Sequence, residues 1–347
     1  MYYKKILLAV ALIGLVIAAY FSYFVYSAMF VENTAFSNDE ACIFISSDAT
    51  YEDVRADLEP LLKDIDKFDA LAHRKKYSSN VKAGKYCIMK GMTNNDIINT
   101  IRSQNRPIRV SFNNQPDLNQ LAGRIAQQIE ADSSDIVTAM LDENFLSKNG
   151  FEERTALGMY LPNSYEFFWN TSAEGFTNRM LKEYNAYWNE SRLSKAKSIG
   201  LDKNEVMTLA SIVYEESKQK SEQPRVAGVY INRLKNGWPL QADPTLKFAA
   251  YQLPEYQGKV IKRVLNIHKE IDSPYNTYKN SGLPPGLIAM PDLTAIDAVL
   301  NYERHDYFYF AVDAKNPGFH KFARDLSEHN RHAREYHRYL SEQGIFK

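Results

Sequence analysis

Between Ile6 and Val31 no side chain carries a charge, and the run ILLAVALIGLVIAAYFSYFVYSAMFV has to leave water whatever the rest of the chain does. At about 26 residues it exceeds the roughly 20 needed for a helix to cross a bilayer. Lys4 and Lys5 precede it, and the first charges after it are Glu32, Asp39 and Glu40. The positive-inside rule then puts residues 1–5 in the cytoplasm, residues 6–31 in the membrane and everything later outside, beginning with a linker over 32–40. A cleaved secretory signal is the competing reading. It has a shorter apolar centre and small residues at its end, whereas Tyr20, Phe21, Tyr23, Phe24 and Tyr26 crowd the end of this run, as an interfacial aromatic belt would. Both readings put the folded part in the same compartment.

Outside the anchor the chain reads as ordinary globular protein: 45% hydrophobic and 24% charged residues exclude disorder and collagen-like sequence. Forty-two Lys and Arg balance forty-two Asp and Glu, so no net field marks nucleic acid or an anionic surface as a partner. The two cysteines, Cys42 and Cys87, each sit in a strand-like run in a compartment where disulfides persist. Two readings stand side by side: a bond worth roughly 4 kcal/mol if those strands are neighbours, or two small buried hydrophobes.

Residues 41–107 read as a small α+β unit. Ile43–Ser46 and Gly84–Met89 are extended, and Tyr51–Leu62 and Asn94–Ile101 have helical apolar spacing. Ile108–Phe112 alternates like a half-buried strand and opens a second domain over 108–347. Helical patterns run to about Lys235, and a Pro- and Gly-rich stretch to Pro291 follows. After a further helix, Tyr307–Val312 and Phe319–Ala323 flank Asn316-Pro317-Gly318 as a hairpin, and Asp325 with Glu328 caps a last helix. The fold class is therefore α+β.

The segment from Asp202 to Gln219 carries the chemistry. Asp202 and Glu205 form a capping box, and Val206, Leu209, Ala210 and Val213 define an apolar stripe. On that wheel Glu215 falls opposite Val206, in water, while Glu216 falls between Leu209 and Ile212. A carboxyl among apolar neighbours loses hydration, so its pKa rises and it can hold a proton at neutral pH. Cleaving a glycosidic bond requires such a group, because the leaving oxygen must be protonated. The structural alternative is an edge glutamate paired with Arg225 or Arg233.

Leu209-Ala210-Ser211-Ile212-Val213-Tyr214-Glu215-Glu216-Ser217, then Arg225 to Leu234, then Leu240-Gln241-Ala242-Asp243-Pro244-Thr245, resemble the signature of the YceG-like (MltG-type) family of endolytic murein transglycosylases. Ser273-Pro274-Tyr275-Asn276-Thr277-Tyr278, Gly282-Leu283-Pro284-Pro285-Gly286-Leu287-Ile288 and His329-Asn330 continue the family's order downstream. Leu161-Pro162-Asn163-Ser164-Tyr165 resembles its P-D-T-Y element, and Gly84-Lys85-Tyr86 the G-x-Y strand of a LysM-like domain. The resemblance covers essentially the whole chain. It makes residues 41–107 LysM-like, residues 108–347 the catalytic domain, and Glu216 the catalytic residue. Two positions depart from the pattern, since Tyr214 and Leu157 stand where many members have glutamate.

What the resemblance implies is a single-pass inner-membrane enzyme whose catalytic domain lies outside the cytoplasm. It would cut nascent peptidoglycan between N-acetylmuramic acid and N-acetylglucosamine and leave 1,6-anhydro ends. The sugar's own C6 hydroxyl is the nucleophile, so one carboxyl can serve first as acid and then as base. Ser217, Asn232, Arg233, Gln241, Asp243, Thr245, Tyr275, Asn276, Tyr278 and Asn330 are the candidates for holding the glycan. The partners implied are glycan strands, with peptidoglycan synthases or division proteins as neighbours. No metal or other cofactor is expected: His329 and His332 share a helix face without a third ligand at a recognisable spacing, which reads as a solvated face, and there is no phosphate-binding loop. Two alternatives remain: a two-carboxylate hydrolase with Asp243 positioning water, and a glycan-binding scaffold in which Glu216 is structural.

Overall fold

The computed structural model describes residues 2–342. Helix α1 (Tyr2–Phe30) contains the apolar run and is long and apolar enough to cross a membrane. Its last turn does not end in a slack tether. Ser27 and Ala28 are buried, and the Asn94 amide donates to the Ala28 carbonyl at 3.0 Å. Just beyond the helix, the Asn33 side chain donates to Asn94 Oδ1 and to the Asp64 carbonyl and accepts from the Asp64 N–H. A buried polar residue whose bonds are all made fixes its neighbours, so the end of α1 is docked onto the rest of the first folded unit.

That unit comprises residues up to Val110 together with Gln128–Ala131 and Tyr165–Ser172. Strand β1 (Glu40–Ile45) leads to α2 (Tyr51–Leu58) and α3 (Ile65–Arg74), and β2 (Gly84–Met89) returns antiparallel to β1. Helix α4 (Asn94–Ser103) and β3 (Pro107–Phe112) follow. Thr50 with Asp53 and Thr93 with Asp96 form complete capping boxes, which is why α2 and α4 start where they do. The expected helix Tyr51–Leu62 breaks after Leu58 into a 3₁₀ turn over Glu59–Leu61, because Pro60 has no N–H to continue the ladder. Ile43, Ile45, Val54, Leu58, Phe68, Ile88 and Ile97 close one core. Cys42 and Cys87 lie directly opposite in the β1–β2 register and are bonded.

The second unit comprises Ser111–Gln127, Asp132–Ser164 and the chain from Ala173 onward. It begins with helices α5 (Leu118–Ala126), α6 (Ser133–Met140), α7 (Glu143–Lys148) and α8 (Glu153–Ala156). Strand β4 (Asn163–Phe168), most of which belongs to the first unit and which pairs with β3, precedes α9 (Ala173–Tyr187) and α10 (Glu190–Ile199) of the second. Its centre is α11 (Lys203–Glu216), whose residues Val206–Val213 are all buried, packed against α12 (Gln223–Lys235) and α15 (Leu293–Leu300). Between these lie α13 (Asp243–Tyr251) and α14 (Asn266–Lys269). The antiparallel hairpin β5 (Tyr309–Val312) and β6 (His320–Ala323) and helix α16 (Leu326–Glu342) complete the described chain.

One expectation changes here. Asp243-Pro244 reads as a turn within a Pro-rich loop, yet it opens helix α13, with Pro244 in the first turn, where its missing N–H has no partner to lose. Gly228 of α12 marks a close approach in this unit, because a Cβ there would overlap the Glu303 carbonyl and the His305 ring. Gly228→Ala is therefore expected to lower stability by about 2 kcal/mol, the usual cost of overpacking. A melting temperature equal to wild type would refute that close packing.

Candidate active site

Helix α11 ends at Glu216 itself, and Ser217 leaves it in extended conformation with its N–H still bonded to the Val213 carbonyl at 3.1 Å. The carboxyl projects from the last turn into a cleft of about 410 Å³. Glu215, one residue earlier, points to water and pairs with Lys218 at 2.9 Å. The phenol of Tyr230, from α12, donates to Glu216 Oε1 at 2.6 Å. Among the described residues Oε2 has no hydrogen-bond partner, so it is the oxygen left to carry a proton. Burial is the main cause that pushes the Glu216 pKa up to about 7, and the charge of Asp243 adds to it. The Tyr230 bond and the nearby His320 and Arg233 act in the opposite sense and lose. The paired arginines of the structural alternative are occupied elsewhere, Arg225 with Glu303 and Arg233 with backbone carbonyls.

The opposite wall begins at Gln241, one of only two non-glycine residues among those described with positive φ, at 49°. Its N–H bonds the Thr277 carbonyl, and the Ala242 N–H bonds Thr277 Oγ1 at 3.0 Å. Thr245, fully buried, completes this tie through Thr277 Oγ1 at 2.8 Å. A strained backbone position persists only where its surroundings over-determine it, and these bonds do so. Asp243, held by the Tyr278 phenol at 2.6 Å, faces the same cleft.

Of the sequence candidates, Glu216, Arg233, Gln241, Asp243 and Tyr278 line this one cleft. The others are placed differently. Ser217 is buried and donates to Glu222 Oε2 at 3.0 Å. Asn232 donates to the His305 and Tyr307 carbonyls, and Asn276, fully buried, to the Lys269 and Ile271 carbonyls. Each of these three, with Thr245, fixes its surroundings rather than facing the cleft. Tyr275 packs on Phe248 at 4.6 Å beside a separate hollow of about 740 Å³ that also touches Leu287. Asn330 is exposed on α16, outside the cleft lining. Leu157 is buried, and the Tyr214 ring carries the Lys218 ammonium over its face at 3.5 Å.

The cleft also contains residues that periodicity does not single out. Tyr309 and Phe310 of β5, His320 of β6 and His329 of α16 form its third side. The expectation that His329 lies on a solvated helix face does not hold: its ring stacks on Tyr309 at 5.4 Å, and burial lowers its pKa. Beside Glu216, buried Glu222 accepts the His320 N–H at 2.7 Å and His320 Nδ1 at 2.8 Å. Burial alone would raise the Glu222 pKa, but these bonds and that of Ser217 hold it below the usual carboxylate range. The sequence signal for Glu222 and His320 is slight, because they come from different elements and meet only in space.

With this geometry in place, the comparisons with known proteins agree with it. Residues 43–335 match the YceG-like family. The chain is 33% identical over 278 residues to the endolytic murein transglycosylase of Bacillus subtilis, covering 75% of this chain and 74% of that protein. It is 28% identical over 301 residues to that of Streptococcus pneumoniae, covering 78% of this chain and 53% of that one, so it spans about half the length of the pneumococcal relative. Among solved structures, a yceG-like protein of Listeria monocytogenes is similar at TM-score 0.55 and 25% identity, over 85% of this chain and 99% of that one.

Proposed function

Because the chain belongs to the YceG-like family, we propose that it is a membrane-anchored peptidoglycan lytic transglycosylase with Glu216 as its acid. The observation that carries this reading is a carboxyl with a pKa of about 7, fixed at Oε1 by Tyr230 and free at Oε2, in a cleft walled by aromatic and polar side chains. Glu216 protonates the oxygen between N-acetylmuramic acid and N-acetylglucosamine as the bond breaks. Its carboxylate then accepts the C6 hydroxyl proton as the 1,6-anhydro ring closes. The nucleophile is tethered, which replaces a bimolecular encounter with an intramolecular one. Lys4 and Lys5, in the first turn of α1 and ahead of its uncharged run, support a cytoplasmic N-terminus, with both folded units on the outer face of the inner membrane near the synthases that make the strands. The βααβ order of residues 40–89 supports a LysM-like, glycan-binding unit.

The test is the mass of the products formed from uncrosslinked glycan polymer by the full-length protein in detergent. Anhydro ends are expected. Ends heavier by one water identify the two-carboxylate hydrolase, and strand binding without cleavage identifies the scaffold. Asp243 separates the readings a second way. Asp243→Asn removes a negative charge that raises the Glu216 pKa, so the alkaline fall in activity should move to lower pH while anhydro ends persist. Loss of all cleavage in that variant would instead make Asp243 the base.

A further inference from the structure

Resting on the transglycosylase reading, we propose that His320, backed by buried Glu222, is a catalytic residue whose Nε2 accepts the N–H of the reacting sugar's 2-acetamido group. The stereochemistry creates the need for such a group. The bond broken is β, and the 1,6-anhydro bond formed at C1 lies on the same face, because O6 is carried on that face of the ring. Retention requires two inversions, so a nucleophile must first reach C1 from the face opposite Glu216. In retaining glycosidases this is usually a second carboxylate, or else the substrate's own acetamide. Asp243, the other carboxylate lining the cleft, accepts the Tyr278 phenol at 2.6 Å. The acetamide carbonyl oxygen remains as the nucleophile. As it bonds to C1, positive charge develops on the amide and its N–H becomes a stronger donor, which calls for a fixed acceptor.

His320 fits that role. Its Nδ1 donates to Glu222 Oε2 at 2.8 Å and its backbone N–H to Oε1 at 2.7 Å, so both carboxylate oxygens hold one residue. With the proton on Nδ1, neutral imidazole presents Nε2 as an acceptor. Nε2 has no hydrogen-bond partner among the described residues, and the ring lines the cleft that holds Glu216. Phe310 meets the ring edge-on at 5.2 Å and fixes its plane. Ser217, the residue after the acid, donates to the same Glu222 oxygen, so acid and acceptor are tied through one carboxylate. This arrangement of carboxylate, imidazole and open acceptor stabilises developing positive charge in the way that buried carboxylates behind histidines do elsewhere.

The acetamide oxygen's lone pair forms the bond to C1, and the C1–O4 pair leaves on the oxygen that takes the Glu216 proton. O6 then attacks C1, the bond from the acetamide oxygen breaks and its pair returns to the amide, and the O6 proton goes to Glu216. His320 gives and takes no proton, but it must be neutral. The charged or titratable groups lining its cleft are Glu216, Arg233, Asp243, Tyr278, Tyr309 and His329, with Glu222 behind it.

The test compares wild type, His320→Phe and His320→Gln as full-length proteins, measuring kcat and KM of anhydro-end formation, with melting temperature as the folding control. His320→Phe is expected to lose about 100-fold in kcat with KM within threefold, at a temperature where it is folded. His320→Gln keeps an acceptor oxygen in the same place, so it should lose only about tenfold in kcat. A His320→Phe enzyme within threefold of the wild-type kcat overturns the proposal. So does a His320→Gln enzyme that loses as much kcat as His320→Phe, which would leave His320 as a structural tie between Glu222 and the hairpin. Failure of wild type to yield anhydro ends would instead overturn the transglycosylase reading beneath it.

Discussion

Glu216→Gln is expected to reduce anhydro-end formation by about 10³-fold, within the range contributed by a positioned general acid. The amide preserves the shape of the side chain and the Tyr230 bond to Oε1, and removes only the proton. The same substitution supplies its own folding control. In the folded protein the carboxyl titrates at about 7, above the ordinary carboxylate value of 4.5 that applies when the chain is unfolded. Below about 4.5 both states are protonated and the group is neutral in its effect. As pH rises to about 7 the unfolded state loses its proton first, so wild-type stability declines, by a cost on the order of 3 kcal/mol that is complete above 7. Glutamine carries no such cost. The variant should match wild type in melting temperature near pH 4.5 and exceed it by several degrees at pH 8. An inactive variant that is also less stable at pH 8 would mean that its inactivity comes from damage to the fold. A variant that still forms anhydro ends at the wild-type rate would remove Glu216 from the chemistry.

Arg233→Ala should have the largest effect on stability. This side chain is 6% exposed, and its guanidinium donates to the carbonyls of Phe308 and Leu240, with Nε to Phe308 at 2.8 Å. It thereby joins α12 to the segment before β5 and to the residue preceding Gln241, two walls of the cleft. Truncation leaves two carbonyls without that donor and opens a void, which should cost about 3 kcal/mol and roughly 10 °C in melting temperature. Arg233→Lys should recover less than half of the loss, because an ammonium on a flexible stem cannot serve both carbonyls in a fixed fork. A lysine variant as stable as wild type would show that charge alone, not the fork, holds the walls together.

Elements with strong local signals are legible in the sequence. The Asp202–Glu205 box starts α11, the apolar stripe orients it, and that orientation separates Glu216 from Glu215. The hairpin around Asn316-Pro317-Gly318 follows from turn chemistry. Residue types alone are a poorer guide to what each side chain does. Ser217, Asn232, Thr245 and Asn276 are polar residues beside a cleft, yet each spends its hydrogen bonds on backbone, on Thr277 or on Glu222. A buried polar group must satisfy itself, and the nearest partners are usually main-chain atoms. Tyr275 and Tyr278 stand three residues apart and face different hollows. His329 reads as a surface residue because the ring that covers it, Tyr309, lies on a strand 20 positions earlier.

By itself the sequence determined the apolar span, the α+β class, the family, and the one carboxylate set on an apolar face. These are properties of a single segment, or of motifs in order along the chain, and short-range periodicity and chain order carry them. Tertiary structure alone decided that Tyr230 holds Oε1 and leaves Oε2 for the proton, and that Arg233 clamps two walls. It also decided that Glu222 and His320, 98 positions apart, meet beside the acid. Each depends on a contact between elements whose packing is fixed by the core as a whole, and no local pattern encodes a distance across that core.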